Sequence, residues 1–205
     1  MSIAIIDTGC ANIFSVQAAL DRLGADHILA PAPGEAREAT HLVLPGVGTA
    51  RAAMRALESR GWVTALRGER RPLLGICLGM QLLFEHSEEG DVDGLGLISG
   101  MVRRIEPSDD LVWPHMGWNQ LQLIKPGNPL FDEVADGSHA YFVHGFAVPV
   151  GDTTIATTRY GDDFSAIVQQ GNIVGCQFHP ERSSDLGSIM LSNFMEVSNE
   201  TLSGN

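Results

Sequence analysis

Arg71-Pro72-Leu73-Leu74-Gly75-Ile76-Cys77-Leu78-Gly79-Met80-Gln81 is a short apolar run behind a proline that passes, without a break, into residues at helical spacing. The first part predicts a buried strand over residues 73–76. Leu78, Leu82 and Leu83 predict a helix over residues 78–84. A strand that feeds straight into a helix needs a sharp turn, and the residue at the turn takes a strained backbone among small neighbours. Gly75 and Gly79 bracket Cys77 symmetrically, as that geometry demands. A cysteine on such an elbow is expected to be exposed and activated. A helix N-terminus favours thiolate over thiol, and the N–H of Leu78 is placed to donate to an oxyanion. An isolated cysteine would read as a buried structural residue; the Gly-x-Cys-x-Gly frame makes it a candidate nucleophile.

A base and its orienting group lie far downstream. Gln177-Phe178-His179-Pro180-Glu181-Arg182-Ser183 follows the apolar segment 172–178, which predicts a strand. On an extended chain His179 and Glu181 point the same way. The carboxylate can hold one ring nitrogen while the other faces the thiol, which is triad logic. His-x-Glu is a weak signal by itself and gains its weight from the elbow.

The first half alternates strands and helices: strands at residues 3–6, 27–30, 41–44 and 73–76, and helices at 13–23, 49–59 and 62–68. Asn12 is read as the first N-cap, with Gly24 and Gly61 as stops. This predicts an α/β fold with a mostly parallel sheet flanked by helices. The second half is strand-rich, at residues 97–105, 120–123, 140–143, 154–158 and 164–169, and a helix at 185–197 closes it. Residues 1–197 read as a single domain, with 198–205 a frayed polar tail. Ligands in such sheets sit at the carboxyl ends of strands, where both catalytic segments fall. A third strand end, Leu44-Pro45-Gly46-Val47-Gly48-Thr49, enters a turn bracketed by glycines. There the N–H of Val47 is expected to be a second oxyanion donor. No Gly-Lys-Ser/Thr follows, so this is not a phosphate loop.

Composition narrows the classes further. With 13 Lys and Arg against 25 Asp and Glu, the net charge of −12 argues against nucleic acid or an anionic membrane as partner. Three cysteines without C-x-x-C spacing suggest a reducing compartment. The chain has no apolar run of spanning length and no basic leader, so a cytoplasmic location is expected. The histidines have no metal-ligand spacing, and neither a metal nor a cofactor is expected.

Pro45-Gly46-Val47-Gly48, the Gly75–Gln81 elbow and His179-Pro180-Glu181 resemble the three signatures of class I, triad-type glutamine amidotransferases, which have a flavodoxin-like fold. More narrowly, five runs resemble the family of glutaminase subunits that serve imidazole glycerol phosphate synthases of histidine biosynthesis. They are Asp7-Thr8-Gly9-Cys10-Ala11-Asn12, Leu44–Ala50, Pro114-His115-Met116-Gly117-Trp118-Asn119, Tyr141-Phe142-Val143-His144 and His179–Ser183. The resemblance covers residues 3–194. It implies Cys77, His179 and Glu181 as catalytic residues, and Val47 and Leu78 as the oxyanion hole. It further implies glutamine contacts at Gly46, Gly48, Gln81, Gly145 and Phe146. The partner it implies is a (β/α)8-barrel cyclase, bound as a heterodimer through Asn12, Trp118 and Arg182. Ammonia passes to that cyclase, which makes imidazole glycerol phosphate and aminoimidazole carboxamide ribotide. Relatives usually carry a small hydroxyl residue and a tyrosine where this chain has Gly145 and Phe146.

Three other readings are weighed. A glutaminase of another synthase shares the elbow, but the Gly-Gly-Glu-Ser-Thr run of the pyridoxal type is missing. A related cysteine hydrolase would use a histidine soon after the cysteine, and His86 has no well-placed carboxylate neighbour in sequence. A catalytically dead binding module would not need the intact Cys77, His179 and Glu181 set.

Overall fold

A computed structural model describes residues 2–9, 13–106 and 111–197. The first half gives β1 (Ser2–Ile6), α1 (Ile13–Arg22), β2 (Asp26–Ala30), β3 (His41–Gly46), α2 (Ala50–Ser59), α3 (Trp62–Arg67), β4 (Leu73–Cys77) and the single turn α4 (Leu78–Gln81). The second half gives β5 (Phe84–Ser87), β6 (Val92–Asp93), β7 (Ile98–Arg104), β8 (His115–Gln120), β9 (Gln122–Leu123), β10 (His139–His144) and β11 (Phe146–Ala147). It ends with β12 (Thr154–Tyr160), β13 (Asp162–Gln170), β14 (Ile173–Cys176) and α5 (Ser184–Glu196). The main sheet has the order β2-β1-β3-β4-β14-β13-β12-β9. Pairing is parallel from β2 to β14 and antiparallel beyond it. Two small sheets, β10-β8 and β11-β7-β5-β6, form from the second half.

The sheet separates two apolar cores, because successive strand residues face opposite sides. Ile3, Ile5, Val43, Leu74 and Ile76 face one side, with Phe142, Phe178 and Phe194. Ala4, Ile6, Leu42, Leu44 and Leu73 face the other, with Leu57, Trp62 and Phe84. Burying each large side chain contributes roughly 1.5–3 kcal/mol, so both faces must be covered for the central strands to be stable.

The last strand of the main fold inserts next to the elbow strand. Its register with β4 pairs Gly175 with Gly75 and Cys176 with Ile76. On the other side of β4, Gly46 pairs with Cys77. The strand ends carrying Val47, Cys77 and His179 therefore emerge together at the carboxyl edge of the sheet.

Several expectations need correction. The predicted helix over residues 78–84 is a single turn, because the backbone of residues 82–84 bonds elsewhere. Leu82 O accepts from Leu95 N–H (2.8 Å), and Leu83 O accepts from Leu97 N–H (2.8 Å) and Ile98 N–H (3.0 Å). Phe84 begins a strand, β5, where the predicted helix would have ended. Residues 115–120, where no strand was predicted before residue 120, form a strand paired antiparallel with β10. Asn12, the predicted cap and interface residue, and the predicted tail at 198–205 lie outside the described residues.

Candidate active site

Cys77 sits at φ 53°, ψ −111°, a conformation that side chains rarely adopt. Its neighbours must be glycine for steric reasons. A Cβ on Gly79 would lie 1.8 Å from Leu44 O, and one on Gly75 would lie 2.7 Å from Gly79 O. The elbow closes only because β3, β4 and α4 touch backbone to backbone. Contrary to the expectation of an exposed thiol, Cys77 is 7% exposed. It forms part of the lining of a cavity of about 290 Å³. α4 is only one turn long, so the helix dipole expected from the sequence is short.

Gly46, Val47, Gly48, Leu78, Gln81, Gly145, Phe146, His179, Glu181 and Arg182 line the same cavity as Cys77. Every residue proposed for catalysis, the oxyanion hole or glutamine contact is thereby brought together. Trp118 lies elsewhere, on β8, and is 54% exposed. Its ring meets Tyr141 edge to face at 5.9 Å, and the Arg182 guanidinium lies 5.3 Å from the Tyr141 ring centre.

His179 Nδ1 is 2.8 Å from Glu181 Oε1, and both side chains are buried. A carboxylate on Nδ1 selects the tautomer protonated there and leaves Nε2 as the base. Nε2 itself has no hydrogen-bond partner among the described residues. Burial disfavours the charged ring, but interaction with Cys77 and Glu181 outweighs it and raises the His179 pKa. The resting thiol is instead within 3.8 Å of Val143 O, to which it can donate, and 3.8 Å of the Gln177 amide nitrogen. Cys77 and His179 line the same cavity, so a thiol and an imidazole face one space as a nucleophile and its base do.

Glu89 was not singled out from the sequence, yet it lines this cavity. Its Oε2 accepts from Ala50 N–H at the start of α2 (2.9 Å). Burial raises its pKa, partly offset by that hydrogen bond. A lone glutamate in the acidic run Glu88-Glu89 gives no local sign of such a role; only the fold of the β5–β6 turn carries it there.

His86 does have carboxylates after all: β5–β6 pairing sets it opposite Asp93 (3.1 Å), and the turn brings Asp91 within 3.2 Å. It is not among the cavity residues, so the alternative of a nearby catalytic histidine fails on position. A larger cleft of about 700 Å³ runs between Arg103 and Asp163, and among the described residues its lining contains no cysteine or histidine. Among the described residues no three His, Cys, Asp or Glu side chains cluster as a metal site. No helix among them is long and apolar enough to cross a membrane.

An α/β sheet with a strained cysteine elbow and a His–Glu pair at its carboxyl edge defines a class, and sequence comparison agrees. The chain belongs to the class-I glutamine amidotransferase family, whose sequence model matches residues 4–197. It is 49% identical over 201 residues to the imidazole glycerol phosphate synthase subunit HisH of Vibrio parahaemolyticus, covering 95% of this chain and 98% of that protein. The HisH subunit of Xylella fastidiosa (strain Temecula1) is likewise 49% identical over 195 residues, covering 95% and 97%. Among solved structures, a glutamine amidotransferase superposes with a TM-score of 0.72 at 20% identity, covering 99% of both chains. PurLQS of Thermotoga maritima superposes with a TM-score of 0.69 at 21% identity, covering 95% of this chain and 97% of that one. Those two likenesses establish the fold. The narrower resemblance drawn from the sequence motifs is borne out by the HisH relatives.

Proposed function

We propose that this chain is the glutaminase subunit of an imidazole glycerol phosphate synthase in histidine biosynthesis. The observation that carries the reading is the convergence of Cys77, His179 and Glu181 on one cavity, in a chain half identical to HisH subunits over nearly its full length. In this reading Cys77 sulfur attacks the side-chain carboxamide carbon of glutamine. His179 Nε2 takes the thiol proton and returns it to the departing ammonia, while Glu181 holds Nδ1–H. The N–H groups of Val47 and Leu78 receive the developing oxyanion. Water then cleaves the thioester, releasing glutamate and restoring the thiol.

Glutamine also carries an α-ammonium and an α-carboxylate. Glu89 is the carboxylate in the cavity that is not committed to His179, and it suits the ammonium. Backbone around Gly46, Gly48, Gly145 and Phe146, with Gln81, shapes the remainder.

The partner is a (β/α)8-barrel cyclase in a heterodimer, receiving ammonia before water can protonate it. Its docking face includes the exposed Met116 (64%) and Trp118 (54%), beside Tyr141 and Arg182. Apolar residues on one face of a strand, next to an arginine held over an aromatic ring, are features of an interface anchor. The free Cys77 and Cys176 thiols suit a reducing cytoplasm. The test is labelling by a glutamine analogue that alkylates the nucleophile. Mass increase on Cys77 peptides supports the reading; an unlabelled Cys77 in the active complex ends it.

A further inference from the structure

Gly145 and Phe146 form one wall of the cavity, and both of their carbonyls are doubly occupied. Gly145 O accepts from Ile105 N–H (3.0 Å) and from the Trp113 indole Nε1–H (3.0 Å). Phe146 O accepts from the Gln81 amide (2.8 Å) and from His144 Nδ1–H (2.8 Å). A carbonyl oxygen has two lone pairs, so neither group is left to take a donor from substrate. Their role is to hold the wall still.

Two of these four donors trace back to one short segment, residues 113–115. Trp113 supplies its donor directly. Its indole also packs against the wall: a Cβ added at Gly145 would stand 2.6 Å from Trp113 Cζ2 and 2.9 Å from Cε2. The Arg104 guanidinium covers the ring 4.8 Å from its centre. The indole thus fills the space that any side chain at position 145 would need, which explains why this chain can have only glycine there.

His115 acts one step removed. His144 gives its Nδ1 proton to Phe146 O, so its Nε2 can only accept. His115 Nδ1 lies 3.0 Å from that Nε2 and must be the donor. His115 Nε2 then accepts from the Asn119 amide (3.4 Å), which also donates to Arg159 O (2.8 Å). One set of tautomers satisfies every contact, and it requires both rings to be neutral. His115 and His144 are 3% and 6% exposed, and Tyr160 and Phe142 stack on His115 at 4.0 and 5.0 Å. Nothing in the thioester chemistry uses this histidine pair.

We propose that Trp113 and His115 are positioning residues for glutamine, clamping the Gly145–Phe146 wall through the Gly145 carbonyl on one hand and through His144 and the Phe146 carbonyl on the other. The proposal rests on the glutaminase reading and deepens it. Because the clamp touches the pocket wall and not the reacting atoms, it governs KM for glutamine and leaves kcat largely alone.

The experiment is steady-state glutamate release by the chain in complex with its cyclase and the cyclase's nucleotide ligand, with glutamine varied. Trp113→Phe keeps the ring and loses the donor. His115→Ala empties the site, and His115→Asn restores a donor near the position of Nδ1. Trp113→Phe and His115→Ala are expected to raise KM roughly five- to tenfold, the scale of one or two lost hydrogen bonds, with kcat within about twofold of the unaltered complex. His115→Asn should recover most of the affinity. An unchanged KM in both variants, a fall in kcat at constant KM, or His115→Asn behaving like His115→Ala would overturn the proposal. A purely structural role would lower the active fraction and leave KM where it was. Should His115→Ala fail to fold, Trp113→Phe and His115→Asn still decide. An unaltered complex that releases no glutamate would remove the glutaminase reading and this inference with it; an active complex with unshifted variants removes the inference alone.

Discussion

At the scale of single residues, the proposed mechanism depends on a carboxylate that does no chemistry of its own. Glu181 fixes the His179 tautomer through a 2.8 Å contact. Glu181→Gln keeps the shape and reverses the donor, so kcat is expected to fall by a factor on the order of 10²–10⁴ with KM little changed. Cys77→Ala should abolish glutamate release and still permit glutamine to bind, which isothermal calorimetry on the complex can read. Protonation matters at two other residues. Burial pushes His115 down to about 4 and His144 down to about 3. The unfolded chain binds these protons near pH 6.5, while the folded chain refuses them until the pH is far lower. Their contribution is therefore complete above pH 6.5 and is lost as the pH falls toward about 4 and then about 3. Urea midpoints should drop between pH 7 and pH 4.5, and His115→Asn should flatten that drop. An equal slope in the variant would show that other groups dominate acid unfolding. That Cys77, His179 and Glu181 come together was legible in the sequence, because a nucleophile, a base and an orienting carboxylate are particular residue types in a particular frame. Glu89, Trp113 and the histidine pair were not, because their roles arise from contacts between distant segments.

At the scale of elements, the elbow is a close approach of three backbones. A methyl on Gly79 would overlap Leu44 O, and no flexible side chain is there to move away. Gly79→Ala is expected to cost about 3–5 kcal/mol or prevent folding, measured as a loss of urea midpoint at constant m-value. The central parallel strands β1, β3 and β4 were legible because they are buried on both faces, with the glycine stops intact. Two elements were misread for definite reasons. Leu78, Leu82 and Leu83 fit a helix, but residues 82–84 pair with the chain at 95–98 and turn into β5. Strand β8 inverts the usual rule: His115 faces in, while Met116 and Trp118 face out. Alternation was present, but its polar side is the buried one, so the pattern did not announce a strand. Gly145 and Phe146, read as a departure from the usual pair, make sense only once the Trp113 indole is seen against Gly145.

At the scale of the whole molecule, the outward apolar face of β8 and the cavity are carried by neighbouring elements. If that face anchors the cyclase, Trp118→Ala should weaken the heterodimer at least about tenfold, the loss expected for a buried aromatic anchor, with the isolated chain as stable as before. Analytical ultracentrifugation over a concentration series gives that comparison directly. An unchanged dissociation constant would move the interface elsewhere on the surface. The account as a whole holds that Cys77 hydrolyses glutamine in the service of a cyclase. The most direct measurement is glutamate release from glutamine by the purified chain, first alone, then with the cyclase and its nucleotide ligand, with Cys77→Ala as control. The account predicts low release alone, a large rise in the liganded complex, and none from Cys77→Ala. Release that persists in Cys77→Ala, or that is indifferent to the cyclase, would contradict it.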